Sequence, residues 1–196
     1  MNSVRSLAFY ILAIFMAFFV TISNFLVQFP INHFGLGEIL TYGALTYPAT
    51  FLITDLANRR YGKIVARKIV YIGFVLGISL TLFFSTSFSD LISVRIAIGS
   101  GTAFLVAQLL DVNIFDILRK KKWFIAPLTS SLVGSLVDTF LFFFIAFYGT
   151  TLNWLTLASG DFVVKLLLAL IMLIPFRLIM FKLRDIAEYS RKTSSV

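Results

Sequence analysis

Cysteine is absent from this chain of 196 residues. Disulfides and thiolate metal sites are therefore excluded. Histidine occurs once, as His33. No His-Glu-x-x-His, Gly-x-Ser-x-Gly or Gly-x-x-x-x-Gly-Lys-Ser/Thr occurs. The chain thus lacks the signatures of a zinc protease, a serine hydrolase and a P-loop ATPase. We expect no enzyme, no cofactor and no metal. Charge is also scarce, at 13% of residues, with 59% hydrophobic and a mean hydropathy of +0.96. A soluble domain carries about 25% charged residues. There is too little polar surface here to keep a folded chain dissolved.

What is present is long apolar blocks. Six of them run at about residues 7–29, 36–57, 68–88, 93–117, 123–148 and 161–182, each near the length of about 20 residues that crosses a bilayer as a helix, given some tilt. The fourth is the least clean, because Gly99, Ser100, Gly101 and Thr102 interrupt it. The first is far longer than a signal-peptide core and lacks a small-residue cleavage site, so it is expected to stay as a membrane helix. The expected fold is all-α: a polytopic bundle of six transmembrane helices in one domain spanning residues 1–196.

The net charge of +8 invites a nucleic-acid reading. The distribution argues against it. Basic residues fall in clusters between apolar blocks, which is the pattern of topology signals. One connection carries Arg59, Arg60, Lys63, Arg67 and Lys68; another carries Arg119, Lys120, Lys121 and Lys122; the tail carries Lys182, Arg184, Arg191 and Lys192. The alternate connections, Pro30–Gly35 and Gly149–Gly160, have neither Lys nor Arg, and the one near Ser85–Ser93 has none until Arg95. Both termini are therefore expected in the cytoplasm. The bilayer is the expected partner, nucleic acid is not, and a homo-oligomer is compatible with the sequence.

An internal echo runs through two blocks. Ala49–Leu56 resembles Thr102–Leu109, and each is followed by a polar residue, Asn58 or Asp111, and then a basic connection. The segments lie two spans apart and point the same way. Parallel repeats of this kind occur in transporters.

Function is sought among polar groups inside the spans, because such groups are costly there and face the bundle interior. Asp138 lies near the middle of the fifth block, where an unpaired carboxylate costs roughly 2.5–3.5 kcal/mol on insertion scales. Ser131 and Ser135 fall on the same helix face. A substrate-binding carboxylate is one reading; a helix–helix hydrogen bond is the other. Gln108 and Asp111 share a face of the fourth block, as Asp55 and Asn58 do on the second. Asp55 could instead pair with Arg59, and Asp111 with a loop lysine. Lys165 lies inside the sixth block, with Asp161 four residues earlier as a local partner. It could serve as a counter-charge to Asp138 or snorkel to the headgroups. Pro48 should break the second span. Tyr42, Thr46, Tyr47 and Thr50 surround it, a lining that suits a planar heterocycle. Asn24 and Pro175 could join the same interior. Asp90 with Arg95 reads as an interfacial anchor, and Glu38 as an acid near a helix start.

Three stretches carry a family resemblance. They are Leu45–Gly62, Arg95–Asp111 and Ala126–Phe147. In order and spacing they resemble the queuosine precursor transporters, also called the vitamin-uptake-transporter family, across residues 36–182. The first block shows no distinctive match beyond Asn24. The resemblance implies a bacterial inner-membrane protein importing 7-deazaguanine bases, in the cyano form, the aminomethyl form or both. The motif positions it carries over are Asp55, Gln108, Asp111, Asp138 and Lys165. With Tyr47, Ser131 and Asn24 these make up the expected substrate-binding set. A guanine-like edge presents an N–H beside an amino group, which one carboxylate can accept together. The alternatives are a membrane subunit of a larger ATP-driven vitamin importer and a membrane-embedded enzyme built on Asp55, Asp111 and Asp138.

Overall fold

The computed structural model describes residues 3–27, 29–31, 40–84 and 90–193, with side chains described for those between 7 and 182. Seven helices follow in order: α1 (Ser3–Leu26), α2 (Tyr42–Thr46), α3 (Pro48–Tyr61), α4 (Lys63–Phe84), α5 (Leu91–Leu118), α6 (Ile125–Phe147) and α7 (Trp154–Thr193). Among the described residues the β structure is one isolated bridge, Pro30 to Thr41. His33 and Glu38 lie outside the described residues.

Five segments are long and apolar enough to cross a bilayer: Leu7–Leu26, Lys63–Phe84, Leu91–Leu118, Ile125–Phe147 and Trp154–Lys182. They match five of the six expected blocks. The chain is an all-α, multi-pass membrane protein. The second block, expected at 36–57, is built differently. It is the short α2 followed by the 14-residue α3, broken between Tyr47 and Pro48. Pro48 has no N–H to give the Ala44 carbonyl, so the helix restarts there with proline in its first turn, where none is needed. Thr50 closes the joint. Its N–H and its hydroxyl both donate to the Tyr47 carbonyl, at 2.9 and 2.7 Å.

Side chains sort as the solvent demands. Leu7, Ile14, Phe18, Phe83, Ile98, Leu167, Ile174 and Leu178 point outward, whereas Thr50, Asp55, Asn58, Gln108, Asp111, Ser130 and Thr139 are buried. Lipid tails do not drive helices together, so close packing and interior hydrogen bonds must do so. The α1–α4 seam shows the packing. Gly73 and Gly77 lie one turn apart, and a Cβ added at them would sit 2.2 Å from Met16 Cγ and 2.6 Å from Val20 Cγ1. The Gly99–Thr102 interruption has the same explanation. α5 runs through it unbroken, because Gly99 and Gly101 let α6 and α4 approach closely.

Asp90 and Arg95, expected at the membrane interface, each engage a helix end and not one another. Asp90 caps α5 by accepting from the N–H groups of Ile92 and Ser93, and Arg95 donates to the Ile145 and Tyr148 carbonyls at the end of α6. Both complete a helix end, where backbone groups have no partner within the helix.

The two echoing segments lie side by side and parallel. Thr54 on α3 meets Gln108 on α5, Asn58 meets the Val112 carbonyl, and at the C-termini Arg59 meets the Arg119 carbonyl. The last contact is reciprocal, since Arg119 donates to the carbonyls of Asn58 and Arg59 at 3.3 Å each.

Candidate functional site

The expected site residues do not form one constellation. They divide between two clusters, joined by a structural clamp.

The outer cluster is built on Lys165. α7 carries Asp161 and Lys165 one turn apart, and Lys165 Nζ reaches Asp161 Oδ2 at 2.7 Å. The same ammonium reaches Asp138 Oδ2 on α6 at 2.9 Å and Thr139 Oγ1 at 3.0 Å. Thr139 in turn donates to Asp161 at 2.8 Å. From the joint between α2 and α3, the Tyr47 hydroxyl donates to Asp138 Oδ1 at 2.8 Å. The Lys165 ammonium also lies over the Tyr47 ring, 4.9 Å from its centre. Asp138, Asp161 and Lys165 are only 4%, 6% and 5% exposed. Such burial is tolerable because every charge has a partner. Two carboxylates face one ammonium, so the ionised cluster carries one net negative charge.

Why Tyr47 reaches this point is local. The break at Pro48 turns the chain, and Gly43 lets α2 sit against α1. A Cβ at Gly43 would lie 2.7 Å from the Ser23 carbonyl oxygen. Phe51 and Phe104 hold the Tyr47 ring edge-on, at 6.1 and 6.2 Å between centres.

Beside the cluster is a cavity of about 40 Å³, lined among others by Ser23, Asn24, Ala44, Tyr47, Ser100, Asp138, Asp161 and Lys165. A water needs roughly 10–15 Å³ measured this way, so about three would fit. A two-ring base would not, until the helices part. Asn24 lines this cavity and also ties three helices. It donates to Thr81 on α4 at 3.0 Å and accepts from Ser100 on α5.

The inner cluster joins α3, α5 and α6. Asp55 accepts from Ser130 and Ser131, each at 3.2 Å. Asp111 is fully buried, and neither of its oxygens has a hydrogen-bond partner; Asn58 Oδ1 has none either. The local pairings open to the sequence are not made. Arg59 is committed to the Arg119 carbonyl and lies over Phe115, not on Asp55. No loop lysine reaches Asp111.

Gln108 stands between the clusters as a clamp. Its oxygen accepts from Thr54 at 2.5 Å, and its amide donates to Thr50 at 2.9 Å. Both ends are engaged, and Gln108 does not line the outer cavity. Ser131 goes with Asp55 on α3 and not with Asp138, although Ser131 and Asp138 share α6; roughly 10 Å along the axis separates those two.

Sequence reasoning passed over Thr139, Ser23 and Ser100 as site residues. Asp161 was visible only as the local partner of Lys165. The hydroxyls gave no signal beyond being small polar residues in apolar blocks.

The comparisons agree with this architecture. A family model described as "Putative vitamin uptake transporter" matches residues 41–180. The chain is 35% identical to the "Probable queuosine precursor transporter" of Haemophilus influenzae, over 84% of this chain and 82% of that protein. It is 33% identical to the "Queuosine precursor transporter" of Escherichia coli, over 87% and 85%. It is 30% identical to the "Probable queuosine precursor transporter" of Bacillus subtilis, over 83% and 80%. No solved structure matches the chain. The matched segment begins at the strand bridge before α2 and ends within α7, so it contains both clusters except for Asn24 and Ser23.

Proposed function

The chain belongs to the vitamin uptake transporter family, and from that membership we propose that it imports queuosine precursors across the bacterial inner membrane. The cargo is 7-cyano-7-deazaguanine, 7-aminomethyl-7-deazaguanine or both. It acts as a carrier and not as an enzyme.

The observation that carries this reading is the outer cluster: a buried carboxylate, an ammonium and a tyrosine ring converging on one cavity. Each group has a task on a guanine-like base. The Asp138 carboxylate accepts the adjacent N–H and amino group of the base edge. Lys165 donates to the ring carbonyl oxygen. Tyr47 offers an aromatic face. Asn24 and Ser100 border the same space. In the absence of a base, Tyr47 and Lys165 occupy Asp138, so binding is an exchange of partners and leaves no charge bare. This matters because an orphaned buried charge is strongly destabilising.

We assign the base to this outer cluster rather than to the full set expected from sequence. Gln108 is already saturated, and Asp55, Asp111 and Ser131 lie deeper toward the basic connections. The single net negative charge suits the aminomethyl cation. An inside-negative potential adds roughly 2.3 kcal/mol per 100 mV for that cation and nothing for the neutral cyano form.

The topology follows the charges. α2 and α3 together make the second of six crossings, broken between Tyr47 and Pro48. Both termini lie in the cytoplasm with the clusters at Arg59–Lys68 and Arg119–Lys122.

The test is rescue. Cells that cannot make the precursor should gain queuosine-modified tRNA from added base only when this gene is present. Asp138→Ala should abolish uptake of labelled base; unchanged uptake at normal protein level removes Asp138 from the site. Uptake by the purified chain in vesicles without ATP separates a self-sufficient carrier from a subunit of an ATP-driven importer.

A further inference from the structure

Asp111 is the one carboxylate among the described residues with both oxygens buried and a hydrogen bond made to neither. Two acceptor oxygens in that state are unstable if the group is ionised, because they have lost water and gained nothing. A second carboxylate, Asp55, is its electrostatic neighbour across the α3–α5 seam. Between them stands Ser130, beside both groups. Its single hydroxyl proton can serve only one of them at a time, and Ser131 serves Asp55. Two full negative charges would thus share two hydroxyl donors. A third buried acceptor, Asn58 Oδ1, adds to the excess.

Among the described residues the surrounding cations form no ion pair with either carboxylate, and Arg59 acts on Asp55 only through space. On α3, Arg59 is bound to the Arg119 carbonyl. On α5, Arg119 pairs with Asp116 and donates to the end of α3. On α4, Arg67 donates to Asn113. On α6, the nearest titratable group is Asp138, which Lys165 neutralises. On α7, Arg177 lies over Trp123 and Phe181. A cluster of acceptors with too few donors asks for one proton.

We propose that Asp55 and Asp111 hold a single shared proton and form the coupling site of this carrier, separate from the base site. Two carboxylates in one apolar site cannot both ionise, so one keeps its proton. That proton supplies the missing donor: the Asp111 hydroxyl points to Asp55 or to Ser130 Oγ. Buried acids of this kind make up proton relays in pumps and transporters. Gln108, bound to Thr50 and Thr54, lies on the seam between this site and the outer cluster. Loss of the proton leaves a repelling pair across that seam and favours parting of α3 from α5. The coupling role rests on the transport reading above; the shared proton does not.

Infrared difference spectra between acid and alkaline pH, taken on the purified chain in lipid, read the site without any cargo. The expected result is a protonated carboxylic acid band that Asp111→Asn removes. In Asp55→Asn the band should titrate at lower pH, since the like charge that retains the proton is gone. Absence of any band that depends on Asp111 overturns the proposal. In vesicles, an imposed inward proton gradient should drive accumulation of labelled 7-deazaguanine base by the parent chain. Asp111→Asn should lose that accumulation but keep exchange of labelled for unlabelled base, at an unchanged melting temperature. Loss of exchange as well, or drive by a sodium gradient in place of protons, overturns the coupling role. Failure of the parent chain to move any base sinks the transport reading and the coupling role together. The infrared result would still decide the shared proton by itself.

Discussion

Lys165 is the residue on which the outer cluster depends. Among the described residues it alone neutralises Asp138 and Asp161, and it reaches Thr139 as well. Lys165→Met keeps most of the side-chain volume and removes the charge. Two buried carboxylates then face each other without a cation, at a cost of roughly 3–5 kcal/mol. Thermal unfolding in detergent should show this as a marked fall in melting temperature. Part of the loss should be recovered when Asp161→Asn is added, because one of the stranded charges is then gone. Asp138 and Lys165 were legible in the sequence, since an ionisable group inside an apolar block must turn inward. Their pairing was not. They are 27 residues apart on different helices, and Asp161 offered Lys165 a sufficient local partner at i+4. Sequence spacing showed the pair that is made within α7 and was silent on the one made across to α6.

At the scale of elements, the apolar blocks translated into helices with ends displaced by a few residues. Hydrophobic length is the strongest signal a membrane chain carries, because each helix satisfies its own backbone hydrogen bonds and needs no partner to do so. Pro48 was legible as a break for the same reason: it withdraws one of those bonds. What replaced the continuous span, a five-residue α2 and a separate α3, depends on α1 lying against Gly43. The α1–α4 seam makes a testable case of packing. Gly77→Leu would place a side chain where Val20 already lies, 2.6 Å from the first added carbon. Overpacking of this sort costs typically 1–3 kcal/mol. A lowered melting temperature with protein still in the membrane is the expected outcome, and Gly99, packed against α6, should behave likewise.

For the whole molecule, the basic connections predict its orientation. Reporters fused to the N-terminus and to the C-terminus should both report the cytoplasm, and a reporter in the Gly149–Asn153 connection should report the opposite side. Opposite results for the two termini would mean that α2 and α3 do not cross as one unit. The cavity of about 40 Å³ is a property of the same scale. It lies against the broken span that carries Tyr47. Class and helix content follow from the sequence by itself, because hydrophobic length acts locally, one segment at a time, and loop charge predicts the direction across the membrane in the same local way. The separation into an outer site around Asp138 and Lys165 and an inner pair of Asp55 and Asp111 was decided only by the tertiary structure. In the sequence each candidate was a polar group inside an apolar block, with no sign of its partner on another helix. Which of them found a partner depended on distances between helices, and those distances are set by packing.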